Sequence, residues 1–224
     1  MSITENYLRI REKVPDEVTI LAAAKERPPE EVAEIIEAGV SHIGENYVQE
    51  AENIRKALGH AAKAVQWHMI GHLQTNKINK ALMIFDVIQT VDSLAKAEAI
   101  DQRIERAAGR AMPVYIEVNI GSEISKAGVD PDFDTIKNLA ERISRLANLR
   151  LQGIMTLGPI FGDPEKTRPY FRQTKEIFDR IRALNLSRVE MKTLSMGMTN
   201  SYRVAIEEGS NMVRIGTALF GERA

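Results

Sequence analysis

The chain has no cysteine, a single tryptophan in 224 residues, and almost no net charge, with 30 Lys and Arg against 31 Asp and Glu. Without thiols there are no disulfides, no thiol redox chemistry and no cysteine-type zinc site, which is compatible with a reducing compartment. Balanced charge gives no general footprint for nucleic acid or a membrane surface and leaves only a local basic pocket open. Long apolar runs are missing as well. The opening stretch 1–17 mixes acids and bases around no apolar core, unlike a signal peptide or a membrane span, so a cytoplasmic protein is expected. What is there is 44% hydrophobic and 27% charged, enough to bury a substantial core.

Residues 19–25 read Thr-Ile-Leu-Ala-Ala-Ala-Lys, an apolar and partly β-branched run closed by Glu26, Arg27, Pro28 and Pro29. A run of this length before a Pro-Pro breaker predicts a buried strand of a parallel sheet. Lys25 then stands at the strand's carboxyl end, where α/β folds place their chemistry. Taken alone, a lysine there more often simply reaches solvent. Partly removed from water, an amine loses some preference for its charged form and can attack an aldehyde to form a Schiff base.

Around this strand the chain alternates apolar runs with helical stripes, the pattern of parallel βα units. Residues 3–14 predict a short amphipathic helix outside the repeat. Further strands are expected at 42–44, 65–70, 86–91, 114–119, 149–156, 189–194 and 211–215. Between them, Val32, Ile35 and Ile36, then Phe133 to Leu146, and Phe171 to Leu184 recur at helical spacing. About eight units predict a (β/α)₈ TIM barrel, one domain over 1–224 with an extra N-terminal helix. An open doubly wound sheet is the competitor, but no G-x-G-x-x-G follows any strand.

In such a barrel, phosphate is usually bound after strands 7 and 8. Those places hold Ser195-Met196-Gly197-Met198-Thr199-Asn200 and Arg214-Ile215-Gly216-Thr217-Ala218-Leu219-Phe220-Gly221. Glycines admit close approach of backbone N–H groups, and hydroxyls beside a helix start favour an anion. Each loop singly also reads as a plain turn. His68 and His72 invite a metal reading, but Gly71 interrupts them and there is no H-E-x-x-H. A packing role beneath the site is expected instead, and no metal.

Lys25, the stretch from Gly44 to Glu50, and Trp67-His68-Met69-Ile70-Gly71-His72-Leu73-Gln74-Thr75-Asn76-Lys77 resemble the pyridoxal phosphate homeostasis protein family. So do Glu123-Ile124-Ser125-Lys126-Ala127-Gly128, Gly153-Ile154-Met155-Thr156, Ser195-Met196-Gly197-Met198-Thr199 and Arg214-Ile215-Gly216-Thr217. The matches run in order from about residue 19 to 221. The resemblance implies a fold type III barrel like the N-terminal domain of alanine racemase, without that enzyme's second, β-rich domain. It implies pyridoxal phosphate held as a Schiff base on Lys25, with Ser195, Thr199, Gly216 and Thr217 at the phosphate and Arg214 at the pyridine nitrogen. Asn46, either a helix cap or a cofactor contact, and Tyr47, Asn119 and Met155 are the further candidates. Lys126 is a second amine near the predicted mouth. One departure is Ser201, where the family often has aspartate.

Guanidinium has only donors, so a ring nitrogen facing Arg214 stays unprotonated and the cofactor is a weaker electron sink. The resemblance implies a protein that buffers or delivers the cofactor, possible partners being apo forms of enzymes that use it, without efficient catalysis. The alternatives are a racemase-like enzyme and a cofactor-free phosphate-binding isomerase. With no long exposed apolar stripe evident, a monomer is expected.

Overall fold

The computed structural model describes residues 2–107, 109–123, 127–159 and 161–222. Eight strands, β1 Thr19–Ala23, β2 His42–Glu45, β3 Gln66–Met69, β4 Val87–Val91, β5 Met112–Val118, β6 Leu149–Thr156, β7 Val189–Ser195 and β8 Met212–Ile215, close in sequence order into a barrel. Every pairing is parallel, and β1 meets β8 with Leu21 beside Arg214 and Ala22 beside Ile215. The expected (β/α)₈ architecture and the extra N-terminal helix, α1 Ile3–Arg11, are both present.

Helices follow where the stripes and caps direct them. α1 opens with a full capping box between Ser2 and Glu5 and buries Ile3, Tyr7 and Ile10. Asn6 donates to the Leu219 carbonyl at 3.0 Å and the Tyr7 hydroxyl to that of Gly39 at 3.3 Å, fastening α1 beside α2 Pro29–Glu37 and the chain's last turn. α5 Leu94–Arg106 and α6 Phe133–Ile143 begin on Ser93 and Asp132, each accepting from a backbone N–H of its own first turn. α3 Val48–Leu58, α4 Ile78–Ile84, α7 Arg168–Ala183, α8 Tyr202–Glu207 and the short α9 Thr217–Phe220 complete the ring. Among the described residues, no helix is long and apolar enough to cross a membrane.

The large core lies between strands and helices, where Ile43, Trp67, Ile88, Ile116, Leu151 and Val213 are wholly or almost wholly buried. Inside the barrel the filling is different. Leu21, Val87, Tyr115, Met155 and Met212 form a small apolar cluster. Strand residues alternate faces, so His68, Gln89, Glu117, Ser195 and Arg214 share that interior, all buried. Continuing the same alternation past the strand ends brings Lys25, Asn46, Leu157 and Gly216 to the mouth.

Glu45 takes the opposite, outward face of β2 and is wholly buried, with the Asn46 backbone N–H offsetting only part of the loss of water. Burial, with the nearby Glu50 carboxylate adding to it, pushes its pKa up to about 8. A carboxyl that holds its proton in the fold but not in the unfolded chain favours folding at acid pH. That contribution is lost as pH rises from about 4.5 through about 8. The stability gained in Glu45→Gln over the native chain should therefore grow across this window, by up to about 1.4 kcal/mol per pH unit. Chemical denaturation at stepped pH measures it, and a pH-independent difference between the two proteins is the contrary result.

Candidate functional site

The carboxyl ends of β1, β2, β6 and β8 surround a cavity of about 330 Å³. Lys25, Asn46, Thr199, Arg214, Gly216 and Thr217 all line it, so six of the eight residues singled out from the sequence converge on one place. Met198 and Asn200 of the expected phosphate loop line it as well, and so do Arg27, Ile70 and Leu157, which were not singled out as ligand contacts.

β1 ends at Ala23, two residues before Lys25, which lies half-buried in the following turn. Glu26 turns the chain with φ +60°, stabilised by its N–H donating to the Glu50 carboxylate at 3.2 Å. Among the described residues the Lys25 amine has no hydrogen bond and no ion pair, although it borders the cavity. Arg27 lines the same cavity. Its guanidinium donates to the carbonyls of Phe220 and Gly221, pairs with Glu31 at 3.4 Å and lies 5.4 Å from the centre of the Phe220 ring.

Asn46 is not a helix cap. The cap of α3 is Tyr47, with no side-chain bond, which leaves Asn46 directed to the cavity. Its backbone is approached by Gly71 so closely that a Cβ there would lie 2.3 Å from the Asn46 carbonyl oxygen. Tyr47 is 54% exposed and borders a neighbouring groove with His72 and Lys77, while Asn119 bonds the Glu123 backbone. Lys126 lies outside the described residues.

On the phosphate side, Gly197 adopts φ +92°, where a Cβ would come within 2.6 Å of Ala205. This turn presents Thr199, whose hydroxyl oxygen accepts from the Ala218 N–H at 3.3 Å and so joins the loop after β7 to the turn after β8. Ser201, at the departure position, accepts from the Met198 N–H at 3.3 Å, so its hydroxyl closes the loop without a carboxylate.

Ser195 and Met155 do not line the cavity. β7 extends through Ser195 instead of stopping at Leu194, which turns Ser195 inward below the mouth. Its hydroxyl donates to Gln89 Oε1 at 2.8 Å and accepts from Arg214 Nη1 at 2.7 Å. Met155 packs in the interior apolar cluster beneath.

Arg214 gives three of its five N–H donors to Ser195 O, Ser195 Oγ and Thr156 O, at 2.7, 2.7 and 2.6 Å, and its side chain lines the cavity. Burial lowers its pKa to about 10, against the pull of Glu117, so it stays charged near neutrality. Glu117 itself is buried with Oε2 unpartnered and is pushed up to about 7, chiefly by desolvation and then by Asp92. His68 is held far from metal geometry. It bonds Gln89 in the interior, whereas His72 borders the groove outside, and no cluster of three or more metal-ligating side chains occurs among the described residues.

A half-buried amine without a partner among the described residues, a fixed guanidinium and two hydroxyl-bearing turns at the carboxyl end of a parallel barrel suit a small anionic carbonyl compound. Over residues 1–224 the chain matches the family described as alanine racemase, N-terminal domain. It is 40% identical over 205 residues to the pyridoxal phosphate homeostasis protein of Aquifex aeolicus, covering 91% of this chain and 86% of that one. The Escherichia coli K12 protein of the same name is 35% identical over 236 residues, covering 99% and 97%. PipY of Synechococcus elongatus, solved with pyridoxal phosphate bound, superposes with a TM-score of 0.88 at 30% identity, over 98% of this chain and all of that one. The chain belongs to the pyridoxal phosphate homeostasis protein family.

Proposed function

We propose that this protein binds pyridoxal 5'-phosphate through Lys25 and takes part in holding or delivering the cofactor, without efficient turnover of its own. The observation that carries the reading is the Lys25 amine, without a hydrogen bond or ion pair among the described residues, bordering a cavity of about 330 Å³. That volume suits a small ligand, since such pockets run from about 300 to 1,000 Å³. The residues present fit the group. Lys25 offers the nucleophile for an aldehyde, Thr199 and Thr217 offer hydroxyls, and Gly216 keeps side-chain bulk out of the turn. Arg214 offers a donor that stays charged. When bound, the cofactor supplies an electrophilic aldehyde and a ring able to draw electron density from an attached amine.

Support for a holding role comes from the lining. Proton exchange at a substrate carbon with loss of its stereochemistry needs an acid–base group on each face. Among the cavity-lining residues, Lys25 is the one amine, and Arg27 and Arg214 are guanidiniums engaged with carbonyls. A ring nitrogen held at Arg214 would be left without a proton, since guanidinium can only donate, and carbanion chemistry would be disfavoured.

The loaded protein should show a visible absorption band, and borohydride should fix the cofactor to the peptide carrying Lys25. With each common L-amino acid in deuterated water, neither exchange at Cα nor loss of chirality should reach the ordinary enzymatic range of about 1–10³ s⁻¹. Turnover in that range, lost in Lys25→Ala, would make the protein racemase-like instead.

A further inference from the structure

We propose that Gln89 is a positioning residue for Arg214, acting through Ser195, and that the hydrogen-bond chain linking them ends on His68 with its proton on Nε2. The inference rests on the cofactor reading above for its consequence at the mouth, but the direction of the chain stands on the barrel interior alone.

The direction follows from which groups can only give. Guanidinium has donors and no acceptor, so Ser195 Oγ must accept from Arg214 Nη1 at 2.7 Å. The remaining Ser195 hydroxyl proton then goes to Gln89 Oε1 at 2.8 Å. With its oxygen committed, the Gln89 amide turns both N–H groups the other way, one to His68 Nδ1 at 2.9 Å and one to Met212 Sδ at 3.3 Å. His68 Nδ1 is thereby an acceptor, and a neutral imidazole that accepts at Nδ1 carries its proton on Nε2. His68 Nε2 is the atom left without a partner in this buried ring. Burial, with His42 5.2 Å away between ring centres, drops the His68 pKa to about 3, consistent with a neutral ring.

The chain crosses much of the barrel. His68 borders a polar hollow at the amino end, together with His42, Tyr115, Thr193 and Met212. Arg214 borders the cavity at the carboxyl end. Nothing charged is needed between them, because each link is a neutral group with its proton already placed. Gln89 fixes the Ser195 hydroxyl, and the hydroxyl, together with the Ser195 and Thr156 carbonyls, holds the guanidinium in one orientation. The part of Arg214 that borders the cavity is set by this arrangement, so Gln89 acts on the ligand without touching it.

Two measurements test the proposal. Long-range ¹H–¹⁵N spectra of the ligand-free protein should show His68 as the Nε2–H tautomer, unchanged between pH 5 and 8. An Nδ1–H tautomer, or titration in that range, overturns the chain's direction. In the loaded protein, Gln89→Leu should move the cofactor's absorption band and weaken binding about tenfold, while borohydride still fixes the adduct at Lys25. Gln89→Glu, which burial keeps as the neutral acid with an oxygen facing Ser195 and an O–H facing His68, should stay within about threefold of the native affinity. Native-like band and affinity in the leucine variant, or equal damage in both variants, overturns the positioning role. Should the leucine variant not fold, the tautomer and the glutamate variant decide. Absence of any Lys25 adduct in the native protein would instead sink the cofactor reading while leaving the His68 result to stand.

Discussion

Lys25→Ala is expected to remove the Schiff-base absorption band of the loaded protein completely and to leave no borohydride-fixed cofactor on the chain. Its amine makes no hydrogen bond or ion pair among the described residues, so truncation deletes no polar contact of the fold. Thermal stability should stay within about 0.5 kcal/mol of the native protein, as for a surface change away from core and caps. A large loss of chemistry with no loss of fold is the combination that separates a reacting amine from a structural one. The phosphate contacts remain in the variant, so pyridoxal phosphate should still bind, reversibly and more weakly. Peptide mapping of the native adduct is the control. An adduct recovered on Lys77 or Lys126 would show that another amine carries the reaction and that Lys25 is a bystander at the mouth.

Much of this site was legible because barrel geometry is periodic. Once residues 19–25 are taken as a strand, inward alternation through Leu21 and Ala23 places Lys25 at the mouth, even though β1 itself stops at Ala23. β6 spans Leu149–Thr156 as the apolar run predicts, and β2, β3, β4, β5 and β8 fall within one to two residues of expectation. Ser195 shows the limit. Whether β7 ends at position 194 or 195 decides whether that hydroxyl lies in a loop or inside the barrel, and a strand boundary is set by pairing with neighbours rather than by local composition. Gln89 was invisible for a different reason. In β4 all five residues are buried, with Gln89 and Thr90 adjacent, so no alternation of polar and apolar marks which of them faces inward. Arg27 follows a lysine and a glutamate in what reads as a solvated charge run, and only the return of the chain at Phe220 and Gly221 gives its guanidinium acceptors.

The second large effect is discrimination between pyridoxal phosphate and pyridoxal. Thr199 and Thr217 stand on the two loops joined by the bond from Ala218 N–H to Thr199 Oγ1, and both line the cavity. The Thr199 oxygen is already an acceptor there, which frees its proton for a ligand oxygen. The opening N–H groups of α9 have no intrahelical acceptor, and Gly216 ahead of them carries no side chain to block approach. A Cβ at Gly216 would sit 3.3 Å from the Ala23 carbonyl oxygen, on the β1 side of the same cavity. Hydrogen bonds to a charged group contribute about 1.5–3 kcal/mol each, and about 1.4 kcal/mol is a factor of ten. Two or more such bonds put the expected preference for the phosphorylated form at about a hundredfold or beyond. Thr217→Val and Thr199→Val keep shape and remove a hydroxyl, so each should narrow that preference about tenfold by weakening the phosphate form alone. Ser195→Ala should leave the preference nearly unchanged, because its hydroxyl is spent on Gln89 and Arg214. Titrations of both ligands against the four proteins measure this directly. Equal affinity of the native chain for the two forms would mean that these turns do not hold the phosphate, whatever Lys25 does.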